Sequence, residues 1–142
     1  MIRYSSNRTL EQIDGSIWPE PPSDATRLIK TIHALRRKPI SAFSAEDLRV
    51  MFGQSESIGI LLPRALDVLE RNPLAAGDYY PGDLLVAVLK ASEGELIRDQ
   101  RAVGRLRAVI EHVMKRDDLE VYFPPDDDIW IRIDDLKRAG VL

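Results

Sequence analysis

The chain contains no cysteine. Disulfide bonds, zinc sites built on thiolates and cysteine nucleophiles are therefore excluded. The absence also fits a reducing compartment, where disulfides do not persist. The 142 residues are 44% hydrophobic and 30% charged, which is the composition of a folded protein. We expect a single domain over residues 1–142, because a chain of this length buries about two thirds of its unfolded surface.

Long apolar runs are also missing. The longest is Leu84–Leu89, whereas a membrane-spanning helix needs about 18 apolar residues or more. Residues 1–8 include basic side chains, but no apolar segment follows them as it would in a secretion signal. We expect these eight residues to form a loose tail, and the protein to be cytoplasmic with no membrane partner.

The motifs of common catalytic and nucleotide-binding sites are absent. His33 and His112 are the only histidines, and neither has a histidine or cysteine three or four residues away. The sequence has no phosphate-binding glycine loop and no glycine-flanked nucleophilic serine. It therefore predicts no catalytic residue, no metal site and no cofactor.

Pairs of carboxylates are the remaining candidates for chemistry. Asp78 and Asp83 flank a turn and could serve a hydrolase as acid and base, an alternative that requires a deep pocket lined by both. Asp126 and Asp128 begin a calcium-loop pattern, but the glycine and the distal glutamate of such a loop are absent. Helix caps and solvated charges explain both pairs more simply.

Apolar residues recur at helical spacing along most of the chain. An extended proline strap over residues 18–22 is expected to be held onto the body by Trp18. The helix that begins at residue 84 is apolar nearly all round, so we expect it at the centre of the domain. Helices are predicted over residues 10–14, 25–37, 45–53, 58–71 and 84–91, and from Ser92 to about residue 115. The apolar stripe of the fourth comprises Ile58, Leu61, Leu62, Ala65, Leu66 and Leu69.

The C-terminal part has a different pattern, in which apolar residues alternate with polar or aromatic ones as they do in strands. The alternating residues are Val121, Phe123, Ile129, Ile131 and Ile133. Residues 124–128 would join two short strands. The expected fold class is therefore mainly α, a compact bundle-like single domain with a short C-terminal β-hairpin.

Charge is distributed unevenly, although the net charge is only −3. Residues 1–43 hold seven Lys or Arg and four Asp or Glu, whereas residues 117–131, the acidic segment, hold six acids and no base. Phosphates require a basic surface, so the acidic segment argues against direct binding of nucleic acid at this end. A nucleic-acid-binding or regulatory adaptor stays an alternative, and it would need a contiguous basic face made of Arg27, Lys30, Arg36, Arg37 and Lys38.

Several short stretches occur together in the order found in one known family. They are Trp18-Pro19-Glu20-Pro21, Leu35-Arg36-Arg37-Lys38-Pro39, Glu46-Asp47-Leu48-Arg49, Gly53-Gln54, Asn72-Pro73-Leu74 and Gly77-Asp78-Tyr79-Tyr80-Pro81-Gly82-Asp83-Leu84-Leu85. Through them, residues 9–91 resemble the immunity proteins of bacterial contact-dependent growth inhibition (CDI) systems, the CdiI family. The resemblance implies a cytoplasmic antitoxin, not an enzyme, that binds the C-terminal toxin domain of a delivered effector. Such toxins are often nucleases.

The acidic segment lies outside the resembling region and suggests how a toxin would be bound. A nuclease has a basic cleft, which carboxylates would complement and aromatic anchors would reinforce. The expected toxin-binding residues are Asp117, Asp118, Glu120, Tyr122, Asp126, Asp127, Asp128 and Trp130. The alternatives are that the two aromatics belong to the core and that the acids are merely solvated. Tyr79 and Tyr80 are further candidate anchors, although a structural turn explains their string more simply, since a specificity surface should vary between cognate pairs.

Overall fold

The backbone of residues 7–142, the part of the chain that the computed structural model describes, is built from short α-helices joined by tight turns. The mainly α fold class is confirmed. The predicted tail lies outside the described residues over positions 1–6. The helices are α1 (Leu10–Asp14), α2 (Arg27–Leu35), α3 (Ala45–Gly53), α4 (Ile58–Arg71), α5 (Asp83–Ala91), α6 (Glu93–Arg98), α7 (Gln100–Met114), α8 (Leu119–Tyr122) and α9 (Asp128–Arg138), with a 3-10 helix at Ile40–Ala42.

Side-chain caps fix where several helices begin. The Thr9 hydroxyl accepts from the Gln12 amide while the Gln12 side chain accepts from the Thr9 amide, and this capping box starts α1 where the sequence predicts a helix. Ser44 and Asp47 form the same arrangement at α3. Helix α2 begins later than predicted, because its cap is Thr26.

Helices α4 and α5 form the centre of the domain. All six residues of the predicted α4 stripe are buried. Helix α5 packs against α3, α4, α6 and α9, and the four Leu and Val residues on its inner side are at most 1% exposed, so its central position is confirmed. Val86 and Ala87 on its outer side are only partly buried, so this side of the central helix remains partly accessible to solvent.

The proline strap is held against α2 by Trp18, as predicted. The guanidinium of Arg36 lies 4.6 Å from the centroid of the Trp18 ring, and His33 meets the ring edge-on at 5.0 Å. Arg36 is 2% exposed, donates to both carboxylate oxygens of Asp14 at 2.8 Å and donates to the Ser16 carbonyl at 2.7 Å. The hydrogen bond from Arg36 lowers the pKa of Asp14. The buried Arg36 side chain therefore links the end of α2 to α1 and to the strap.

The prediction of one long helix behind Ser92 is wrong, because α6 and α7 are separated at Asp99. Asp99 has an extended backbone (φ −134°, ψ 92°), and its side chain accepts from the amides of Arg101 and Ala102 at 3.1 Å. Ser92 forms no side-chain cap on α6. An aspartate that competes for amides in this way starts a new helix within a stretch whose apolar pattern is helical throughout.

The predicted C-terminal β-hairpin is also wrong. Residues 7–142 contain no strand, and α8 and α9 occupy the place of the hairpin. Ile129, Ile133 and Leu136 form the buried side of α9, whereas Ile131 is 62% exposed. The spacing of four and three between the buried residues is helical. The period of two seen in the sequence depended on Ile131, which faces solvent, and the helix is started by the Asp127 cap.

Candidate functional site

The glycine-containing string that precedes α5 folds into a turn over residues 77–82, the tyrosine turn. Asp83 is 3% exposed and accepts hydrogen bonds from the amides of Gly77 at 2.6 Å, Tyr79 at 3.2 Å and Tyr80 at 3.5 Å. One buried carboxylate therefore fixes the backbone of the turn. The expectation that this string has a structural role is confirmed.

The ion pair between Glu46 and Arg49 on α3 contacts the turn from its other side. Glu46 accepts hydrogen bonds from the Arg49 guanidinium at 2.5 Å and 2.6 Å, and from the Asp78 amide at 2.9 Å. The bond between the two side chains lowers the pKa of Glu46 and raises that of Arg49. Arg49 also lies 3.9 Å from the Asp83 carboxylate and 4.4 Å from the centroid of the Tyr79 ring. The guanidinium thus covers one face of that ring.

Both tyrosines of the turn are open to solvent. Tyr79 is 73% exposed and Tyr80 is 45% exposed. They border a groove of about 380 Å³ between α3 and α5, the α3–α5 groove. Phe52 of α3 and the partly buried residues Val86 and Ala87 of α5 contribute to its apolar lining. The arrangement combines a fixed backbone, exposed aromatic rings and an apolar floor.

The tyrosine turn is joined to the acidic segment by one close contact. Gly82 has φ +91°, and a Cβ at this position would lie 2.5 Å from Cζ of Phe123, so the buried ring packs directly on the backbone of the turn. Burial raises the pKa of Tyr80, and the negative charge of Asp127 raises it further. The two segments are therefore neighbours in the fold, although about forty positions separate Gly82 from Phe123 in the sequence.

Replacing Asp127 with asparagine is expected to lower the pKa of Tyr80, because a negative charge that opposes ionisation of the phenol is removed. Asparagine preserves the cap on α9, so the helix is retained. The pKa is measured by following the Tyr80 ring carbons by NMR as the pH is raised. Asp126→Asn is the matched control and is expected to leave the Tyr80 pKa unchanged. Equal Tyr80 pKa values in the Asp127→Asn and wild-type chains would contradict the adjacency of the two segments.

The six acids of the acidic segment differ in their surroundings. Asp118 forms a two-point ion pair with Arg116, with both distances 2.9 Å, and this bond lowers the pKa of Asp118. Asp127 caps α9 by accepting from the Ile129 amide at 2.9 Å. The other four are exposed and form no ion pair with any residue from 7 to 142; they are Asp117, Glu120, Asp126 and Asp128.

The two aromatic residues of the segment contribute to packing. The indole Nε1 of Trp130 donates to the carbonyls of Phe123 at 3.3 Å and Pro124 at 2.9 Å. Both Trp130 and Tyr122 are partly buried against the core, and Tyr122 lies 5.5 Å from the Arg116 guanidinium. The two rings fix the shape of the acidic segment, and contact of either with a toxin stays a prediction.

Asp78 and Asp83 do not face a common pocket, which is the arrangement that the hydrolase alternative required. Asp83 lines the α3–α5 groove, but its oxygens hold the amides of the turn. Asp78 is exposed and is not among the residues that line the groove. The Asp83 carboxylate, which would have to act as the base, is therefore occupied by structural hydrogen bonds.

The basic face that the nucleic-acid alternative required is largely neutralised by the fold. Three of its five residues form ion pairs: Arg36 with Asp14, Arg37 with Glu11 and Glu20, and Lys38 with Asp47. The ammonium of Lys30 donates to the Ser23 carbonyl at 2.9 Å. A phosphate backbone binds to unpaired cations, and these five residues do not form a contiguous set of them.

Within the described part of the chain, no group of three or more His, Asp or Glu is arranged to hold a metal ion. Asp126 and Asp128, which begin the calcium-loop pattern, instead flank the cap of α9. None of the helices from residue 7 onward is both long and apolar enough to cross a membrane.

A protein-family model described as CDI immunity proteins matches residues 12–106. The match includes the proline strap, the tyrosine turn and both helices of the α3–α5 groove, and it ends within α7 before the acidic segment. No curated protein matches the chain, and no solved structure matches it either.

Proposed function

Because this chain belongs to the family of CDI immunity proteins, we propose that it binds and neutralises the C-terminal toxin domain of the cognate contact-dependent growth inhibition effector. The observation that carries the proposal is the family match over residues 12–106. In this proposal the protein acts in the cytoplasm, where a delivered toxin domain would reach its target. It acts by binding alone, and no residue of the chain serves as a catalytic group.

We further propose that the toxin domain is a nuclease whose basic cleft receives the acidic segment. The support is the set of four exposed and unpaired acids, Asp117, Glu120, Asp126 and Asp128, on a segment whose shape is fixed by packed aromatic rings. Carboxylates aimed at a cationic cleft speed association and orient the complex. Asp118 and Asp127 add negative charge beside them, while Tyr122 and Trp130 support the segment and border the interface.

The proposed function is tested by expressing the toxin domain encoded beside this chain's gene, with and without the chain. Growth that is arrested by the toxin domain alone and restored by the chain, together with co-purification of the two proteins, is the expected result. Continued growth arrest in cells that contain the folded chain would contradict the proposal. A cleavage assay on total RNA and on DNA then decides whether the toxin domain is a nuclease.

The triple replacement Asp126→Asn, Asp127→Asn and Asp128→Asn is expected to weaken toxin binding about ten-fold at low salt, since exposed charge pairs contribute about 0.2–1 kcal/mol each. Titration calorimetry at several salt concentrations should also show a weaker salt dependence, because fewer charges face the cleft. Asparagine keeps the cap of α9 in place.

The matched control removes the same number of negative charges elsewhere, with Asp24→Asn, Glu111→Gln and Asp135→Asn, all of which are exposed. This control should bind as the wild-type chain does. If both triple variants lose the same affinity, only net charge matters and the acidic segment is not the docking site.

A further inference from the structure

The tyrosine turn and the groove beside it expose aromatic and apolar surface. Tyr79 is 73% exposed and Tyr80 is 45% exposed. Beside them, Val86 and Ala87 of the central helix α5 are partly exposed on the floor of the α3–α5 groove. Adjacent exposed aromatic and apolar residues of this kind are typical of a protein-binding surface.

Hydrogen bonds from two carboxylates hold the backbone of the same turn in place. Buried Asp83 holds three of its amides, and Glu46 holds a fourth, that of Asp78. The Arg49 guanidinium lies against one face of the Tyr79 ring and is itself fixed by Glu46. A ring that is already held in place loses little conformational freedom when a partner binds it. The turn is thus built to present its tyrosines, and its structural role does not compete with a binding role.

We propose that the tyrosine turn and the α3–α5 groove form the centre of the toxin-binding interface, with Tyr79 and Tyr80 as its anchors and the acidic segment as its charged edge. This inference rests on the proposed function and adds to it the surface that provides most of the binding energy. The occupant is the cationic cleft of the cognate toxin domain, whose Arg and Lys side chains pack on the tyrosine rings and pair with the neighbouring carboxylates.

Continuity between the turn and the acidic segment supports this choice of occupant. The Phe123 ring lies directly against Gly82, and the charge of Asp127 acts on Tyr80. Aromatic faces therefore lie beside carboxylates, much as bases lie beside phosphates in a nucleic acid. A cleft that holds phosphates and stacked bases would find both features on this face.

Two cations line the groove, and they differ in how strongly they would repel a cationic partner. Arg49 is neutralised by Glu46, whereas Lys90 is exposed and forms no ion pair in the described structure. The charge of Lys90 lies at the α5 side of the groove and repels cations there, so we expect the cations of the partner to face the tyrosine rings and the acidic segment.

A second groove, of about 170 Å³, lies between the proline strap and α2 and is the main competitor for the toxin. Its lining includes Trp18 and Ile29, and Ile29 is 41% exposed. The ring of Trp18 is already packed between Arg36 and His33. Glu56 is the one acid among the residues that line this groove. It offers a cationic cleft fewer carboxylates than the acidic segment does, so we expect it to be the weaker competitor.

The test measures the affinity of single and double alanine variants of Tyr79 and Tyr80 for the toxin domain, obtained by co-purification with the wild-type chain, separation in denaturant and refolding. Each single variant is expected to bind about ten-fold more weakly and the double variant about thirty-fold or more, as for interface anchors. Tyr79→Phe should retain most of the affinity, because the ring is kept. Ile17→Ala is the matched control, since Ile17 is 77% exposed just before the strap and lines neither groove, and it should bind like the wild-type chain.

Ala87→Arg is a second, independent variant that fills the α3–α5 groove without touching either tyrosine, and it should weaken binding to a similar extent. Melting curves check that each variant is folded. A wild-type chain that fails to bind the toxin domain would overturn the proposed function itself. A wild-type chain that binds, combined with unchanged affinity in the double tyrosine and Ala87→Arg variants, would overturn only this inference. Loss of affinity in Ile29→Ala, with the tyrosine variants unaffected, would place the toxin in the second groove and overturn this inference.

Discussion

Gly82→Ala is expected to lower the free energy of unfolding by about 3 kcal/mol, from two separate sources. The backbone at Gly82 has φ +91°, in the left-handed region, where a side chain costs about 1–2 kcal/mol. The new Cβ would also lie 2.5 Å from Cζ of the buried Phe123, and overpacking of this kind costs about 1–3 kcal/mol. Urea unfolding followed by circular dichroism measures the loss.

Gly15→Ala is the matched control for backbone strain. Gly15 also has a left-handed backbone, φ +71°, but no atom lies within 4 Å of the position that a Cβ would take. We therefore expect this variant to lose only about 1–2 kcal/mol. Equal losses at the two positions would mean that the ring of Phe123 does not pack on the tyrosine turn, and the link between the turn and the acidic segment would be lost.

The second large effect is expected for Asp83→Ala, which should lower the free energy of unfolding by about 2–4 kcal/mol. The carboxylate accepts three backbone hydrogen bonds and lies 3.9 Å from Arg49. Alanine would leave the amides of Gly77, Tyr79 and Tyr80 without this acceptor, and it would remove a counter-charge from Arg49. Toxin binding should weaken as well, because the turn that holds both tyrosines would loosen.

Asp24→Ala is the control for Asp83→Ala. Asp24 is exposed in a turn before α2, and surface replacements of this kind usually change stability by about 0.5 kcal/mol or less. A chain with Asp83→Ala that unfolds at the same urea concentration as the Asp24→Ala chain would contradict the role of Asp83 as the residue that fixes the turn.

Local signals in the sequence were sufficient for much of the helical core. The buried stripe of α4 was predicted correctly, because its residues recur at helical spacing within a single element. The two largest errors, the single long helix and the β-hairpin, arose where a capping aspartate was overlooked. Asp99 divides the predicted long helix, and Asp127 starts a helix where alternating isoleucines indicated strands. In both cases a cap placed within or beside an apolar pattern decided the local structure.

The candidate site could be predicted only in part. The sequence identified the acidic segment by its charge, but the packing of Phe123 on Gly82 is a long-range contact that no local pattern reveals. The sequence likewise offered Arg36, Arg37 and Lys38 as cations that could bind nucleic acid. In the fold, each of them forms an ion pair with a carboxylate from another segment. Tertiary contacts, more than the residue types themselves, decide which charges are free to meet a partner.

The tyrosine turn also shows how one string can have two roles. Gly82 in the turn and Asp83 directly after it are buried and required by the fold, whereas Tyr79 and Tyr80 are exposed. The family match includes the turn but ends before the acidic segment. We therefore expect the turn to provide an anchor that suits related toxins, and the acidic segment to distinguish among them.

Hydrogen–deuterium exchange of the wild-type chain, alone and bound to the cognate toxin domain, tests the proposed interface most directly. We predict that binding slows exchange in the tyrosine turn, in α5 and in the acidic segment, and leaves the proline strap and α2 unchanged. Slower exchange confined to the strap and α2, with the tyrosine turn and the acidic segment unaffected, would contradict it.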